Sequence, residues 1–184
     1  FTPYKSITSN AEALDGKIYQ IKAQATTLYL LNDGSLSIIP APQLGSNTYG
    51  IENVPTTQAY IGIDTVTANC AALGIDKTVV VWGNNDFGQT DIPSGLTNVK
   101  QVALGAGLYD TTTNAHLQCH VVSLKNDGTI VAWGNNDFGQ CNIPSGIGLV
   151  QAVDAGYGFT IALQTDGTIV AWGDDSNGIL NVPN

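Results

Sequence analysis

Arginine and methionine are both missing from the 184 residues, and charge of either sign is scarce. The six basic residues are all lysine and face fifteen acidic ones, for a formal net charge of -9. That balance excludes a phosphate-neutralising surface, and nucleic acid is not an expected partner. No apolar run approaches the roughly 18 residues that cross a bilayer as a helix, so membrane insertion is not expected either; the densest run, Val79-Val80-Val81-Trp82, is strand-sized. Charged residues make up 11% of the chain and hydrophobic ones 43%, a composition that folds rather than staying disordered. The length suits one domain. With Phe1 first and no methionine, the sequence is expected to be either a processed mature form, as after removal of a signal peptide, or a piece lacking its own start. Phe1 also suggests a type IV pilin, but Pro3 and the polar residues around it break the long apolar helix such proteins need. Cys70, Cys119 and Cys141 permit at most one internal disulfide, and none has CxxC spacing. Few lysines and abundant Thr, Asn, Ser and Gly suit an extracellular or virion surface.

The chain does contain repeats. Asn126-Asp127-Gly128-Thr129-Ile130-Val131-Ala132-Trp133-Gly134 recurs almost unchanged from Thr165 through Asp166 and Gly167 to Trp172 and Gly173. A weaker copy runs from Asp76 to Trp82 and Gly83, and another from Asn32 to Pro40 has Ile39 where tryptophan belongs. The aligned aspartates, Asp33, Asp76, Asp127 and Asp166, are 43, 51 and 39 residues apart. A period of about forty with one insertion fits one propeller blade per repeat.

Within a unit, Asn-Asp-Gly between alternating runs marks a hairpin, because glycine accepts the positive φ of the tight turn. The apolar stretch ahead of it, such as Val102 to Gly107 or Ala152 to Gly156, is the inner strand. After the tryptophan come Gly83-Asn84-Asn85-Asp86-Phe87-Gly88-Gln89 and its duplicate from Gly134 to Gln140, then Ile92-Pro93 or Ile143-Pro144. These segments predict a loop and a short outer strand.

The DGTIVAWG, GNNDFGQ and IPSG segments resemble the repeats of the regulator of chromosome condensation family, whose bacterial relatives include β-lactamase inhibitory protein II. The resemblance covers residues 18 to 184 and is strongest from Thr78 onward. It implies an all-β, propeller-like array of four units, at about 18–57, 58–98, 99–149 and 150–184, preceded by an N-terminal arm at 1–17. Family propellers commonly have seven blades. Four units therefore imply either a closed four-blade ring or an open arc completed by another subunit.

Two irregularities are candidate contacts. Leu108 to Cys119 stands where Tyr157-Gly158 suffices in the fourth unit, and it offers Tyr109, Asp110, Thr112, Asn114 and His116 for binding. Pro40 to Thr57, with Tyr49 and Glu52, is the second. His116, Cys119 and His120 invite a zinc reading, but in an extended segment the two histidines stand about 13 Å apart and Cys119 faces away from His120. No metal or cofactor is expected. The Gly-Asn-Asn-Asp-Phe-Gly loops lack the calcium-loop order, so Asp86 and Asp137 are read as caps of their own turns. Recurrence at every hairpin makes Asp33, Asp76, Asp127 and Asp166 structural punctuation rather than a catalytic pair. Trp82, Trp133 and Trp172 share one repeat position and are read as packing between blades.

Neither a Gly-x-Ser-x-Gly elbow nor a histidine in a triad setting is present. The expectation is a non-enzymatic, surface-exposed propeller that binds a protein or glycan through its loops. A structural subunit of an extracellular filament or of a phage tail or capsid is the alternative, joined to copies of itself through the arm and blade edges.

Overall fold

The computed structural model describes residues 18–23, 27–39, 49–66, 68–106, 118–176 and 178–182, together with the backbone of 109–110 and 115–116. The expected arm at 1–17, and Thr112 and Asn114 of the candidate loop, lie outside them. Among the described residues there is no helix, and hence none able to cross a membrane.

Among the described residues fourteen strands form. β1 (Ile18–Ala23), β2 (Thr27–Leu31) and β3 (Leu36–Ile39) make the first sheet; β4 (Tyr60–Val66), β5 (Asn69–Gly74) and β6 (Val79–Gly83) make the second. The third contains β7 (Val99–Gly105), β10 (His120–Lys125) and β11 (Ile130–Gly134). β8 (Tyr109–Asp110) and β9 (Ala115–His116) form a small hairpin inside it. β12 (Val150–Ala155), β13 (Phe159–Gln164) and β14 (Ile169–Gly173) complete the fourth. All pairings are antiparallel, giving four meanders in a propeller-like array.

Local chemistry sets each meander. In the turn between the second and third strands, an aspartate carboxylate accepts the backbone N–H two residues on: Asp33 from Ser35, Asp76 from Thr78, Asp127 from Thr129 and Asp166 from Thr168, at 2.9–3.0 Å. The next residue needs a left-handed backbone, which Gly34, Gly128 and Gly167 adopt at φ +80 to +91°. The second unit places Lys77 there at φ 67°.

Three apolar clusters bind the array. Leu28, Leu30, Ile63, Ala72 and Trp82 join sheets one and two. Leu73, Val79, Val102, Leu104, Val121 and Trp133 join two and three; Val122, Leu124, Val153, Ala162 and Trp172 join three and four. The second, third and fourth sheets thus each turn a trailing face with the tryptophan toward the preceding sheet, and the first three each turn a leading face toward the following one. Among the described residues no apolar cluster joins the fourth sheet to the first.

One expectation needs correcting. Among the described residues no fourth strand follows the tryptophan: Thr90, Ile92 and Leu96 donate to Asn85 Oδ1, the Thr90 carbonyl and the Pro93 carbonyl. Turns and side chains use the N–H groups a ladder requires, and the prolines supply none.

Candidate protein-binding rim

The register places the variable segments together. Gly83 pairs with Asn69, Gly134 with His120 and Gly173 with Phe159, so loops leaving the third strands and turns entering the second strands share one rim. The aspartate turns occupy the opposite rim. The β8–β9 hairpin, pairing Tyr109 with His116 and Asp110 with Ala115, interrupts the connection between β7 and β10 and so rises from the loop rim.

A side-chain frame shapes the loops. Asn84 Oδ1 accepts Asp86 N–H at 3.1 Å and Gln89 Nε2 at 3.0 Å, while Asn84 Nδ2 donates to Asp86 Oδ2 at 2.9 Å. Gln89 Oε1 takes Phe87 N–H at 2.8 Å. The third unit repeats this with Asn135, Asp137, Phe138 and Gln140. The asparagine therefore caps the turn, and the aspartate holds the asparagine; the expectation that Asp86 and Asp137 cap with their own carboxylates is corrected. Gln89 and Gln140 are fully buried, with each amide satisfied inside the loop. The exact duplication of GNNDFGQ was the available signal for this frame, but which side chain turns inward is not encoded in its order.

Each loop is tied to the next sheet through its carbonyl. Trp82 Nε1 donates to Ile51 O at 2.8 Å, Trp133 Nε1 to Gln89 O at 2.9 Å and Trp172 Nε1 to Gln140 O at 2.9 Å. The tryptophans are buried between sheets. Ile51 is buried as well, so the end of the second candidate loop packs and caps Trp82. Its residues 40–48 lie outside the described ones.

The framed loops expose Asp86, Phe87, Asp91, Asp137 and Asp175, and Tyr157 stands exposed beside them. No lysine falls within 84–91, 135–142 or 174–181. This edge is acidic and aromatic, carried on preorganised backbone.

The groups singled out for chemistry are differently placed. Cys119 packs in the cluster between sheets two and three, whereas His120 points at the fourth sheet, its Nε2 3.0 Å from Thr160 Oγ1. The side chain of His116 lies outside the described residues. Among those described, no group of three His, Cys, Asp or Glu side chains is placed to share a metal ion. The three cysteines are free thiols; burial raises Cys70 to about 12, Cys141 to about 11 and Cys119 well above its ordinary value, which keeps them protonated and poorly nucleophilic. Asp64, unremarked in the sequence, is partly buried and accepts Leu104 N–H at 2.8 Å with Lys22 Nζ at 3.3 Å. Burial raises its pKa against those two stabilising contacts.

Residues 118–140 and 150–179 match the family model for the regulator of chromosome condensation (RCC1) repeat. The third and fourth units thus match RCC1 repeats. The matched segments hold Trp133, Trp172, Asp127, Gly128, Asp166 and Gly167, and the third-unit loop frame. No curated protein matches the chain. Among solved structures, Prp20p of Saccharomyces cerevisiae, described with binding to Gsp1p and histones, is 17% identical with a TM-score of 0.70, over 97% of this chain and 49% of that one. The ectodomain of the Physcomitrella patens receptor kinase CR4 is 18% identical at TM-score 0.63, over 85% and 40%. Human WBSCR16 is 17% identical at 0.64, over 85% and 47%. The likeness is one of fold, and the chain spans about half the length of those proteins or less.

Proposed function

We propose that this chain is a non-enzymatic module that recognises a protein partner through its loop rim, displayed on an extracellular or virion surface. The observation that carries the reading is the side-chain frame of Asn84, Gln89, Asn135 and Gln140. It holds exposed aspartates and aromatics in fixed positions, and preorganised loops bind without a large ordering cost. Exposed aspartates without lysine favour a partner with a basic surface, and Phe87 and Tyr157 supply amphipathic contact area. Prp20p, of like fold, is described with protein ligands, which supports a protein more than a glycan.

The groups that chemistry would need are engaged elsewhere: thiols are held protonated by burial, and the repeated aspartates serve turns. The test is capture of partners on the immobilised chain, compared with the chain lacking residues 108–118 and with Phe87→Ala. Loss of the captured protein in both variants is expected. Unchanged capture in both would reject the rim as the binding face.

A further inference from the structure

We infer that a second copy of this chain docks head to tail on the first, its first sheet lying against the fourth sheet of its neighbour. The three internal junctions define what each face requires. On the trailing side, Ile63, Val102 and Val153 share one register position, opposite Ala72, Ser123 and Ala162, and none is more than 9% exposed. Ile21 holds that position in the first sheet, opposite Tyr29, and is 53% exposed. Ile39 occupies the tryptophan position and is 37% exposed, against at most 8% for the three indoles.

The leading side shows the same contrast. Val79, paired with Leu73, is 5% exposed beneath the third sheet; Ile169, paired with Leu163 in the same register, is 43% exposed. Phe159, Ile161, Leu163 and Ala171 continue this apolar face and are only partly buried. Ile21, Ile39 and Ile169 are thus left exposed at positions that a junction the molecule already makes three times would cover, while Tyr29, opposite Ile21, is 8% exposed.

Polar groups extend the match. Asp64 on the leading face of sheet two accepts the Leu104 N–H of sheet three. Asp154 holds the equivalent register position on sheet four, opposite Ile161, and is exposed, accepting only a local bond from Ala155 N–H among those described for it. The residue equivalent to Leu104 in the first sheet is Ala23, so the docked copy brings its Ala23 N–H toward Asp154.

A head-to-tail contact closes into a ring when its rotation permits. Two copies place eight sheets in succession, within the four to eight blades of known propellers. The solved chains of like fold are about twice as long as this one.

The experiment is light scattering on the chain across a concentration series, with Ile21→Lys and Ile169→Lys alone and mixed. Wild type is expected at twice the 19.2 kDa chain mass, and each single variant as a monomer with wild-type circular dichroism. The equimolar mixture is expected to regain a two-chain species, because one intact leading face meets one intact trailing face. Asp154→Ala, exposed and so safe for folding, is expected to dissociate several-fold more readily. A wild type monomeric at all concentrations overturns the inference. So does association that survives both lysine variants, or a mixture that stays monomeric.

Discussion

His120 Nε2 lies 3.0 Å from Thr160 Oγ1, and the threonine donates in turn to Gln140 O at 2.9 Å, the carbonyl that also receives Trp172 Nε1. Because the hydroxyl proton is committed to Gln140, Nε2 carries the imidazole proton and Nδ1 is a bare acceptor. Nδ1 is buried with no partner, so a second proton there is unfavourable, and burial lowers the His120 pKa from 6.5 to about 4.

The unfolded chain therefore binds a proton that the folded one refuses between those values. Stability is full above pH 6.5 and falls as pH drops toward 4, by up to about 3 kcal/mol. Asp64, with its raised pKa, acts in the opposite sense over part of that window. Asp76, Asp127 and Asp166, held low chiefly by bonds from Thr78, Thr129 and Thr168, lose their contributions only at more acid pH. Urea unfolding at pH 7 and 4.5 checks this: His120→Gln, which retains a donor toward Thr160, should flatten the dependence. Parallel pH profiles for both proteins would refute the assignment.

Trp133 joins packing to capping. Truncation to alanine removes a buried indole between sheets two and three and leaves the Gln89 carbonyl without its donor. A loss of about 3–5 kcal/mol is expected, measurable by denaturant unfolding. Trp133→Phe retains most of the packing and should lose roughly 1–2 kcal/mol, largely from the lost hydrogen bond to Gln89 O.

Lys77 adopts φ 67° where its counterparts are glycines. Lys77→Gly relieves a left-handed lysine, a gain of roughly 1–2 kcal/mol, offset by about 0.4–1 kcal/mol of extra chain entropy in the unfolded state. A net stabilisation of about 0.5–1 kcal/mol is expected in thermal melts; destabilisation would show that the lysine side chain is itself needed.

Asp64 should be replaceable by its neutral isostere. Asp64→Asn retains an oxygen for Leu104 N–H and removes a carboxylate whose charged form burial disfavours, so near-neutral stability is expected. Asp64→Ala orphans that N–H and should cost about 1–3 kcal/mol. Equal losses in both variants would mean that the Lys22 ion pair carries the contribution instead.

Repetition made the meanders readable in advance: period two alternation, Asn-Asp-Gly turns and a recurrent tryptophan are local signals, and each specifies a strand, a turn or a packing position without reference to distant residues. The opposed facing of Cys119 and His120 follows from such signals. The outer strand was misread because a proline after turn residues is equally compatible with a loop, and only the Asn84–Gln89 frame consumes the N–H groups that a fourth strand would use. The inter-sheet contacts were beyond reach for another reason. Gln20 grips the backbone of Ile63 and Gln101 that of Val153, in both cases through amide N and O, while Asp64 reaches Leu104 forty residues away. No local pattern encodes such partners. The repeat arithmetic determined that four similar sheets form; the packing of leading on trailing faces decided which apolar positions are covered, leaving Ile21 and Ile169 exposed and, among the described residues, no apolar cluster between the fourth sheet and the first.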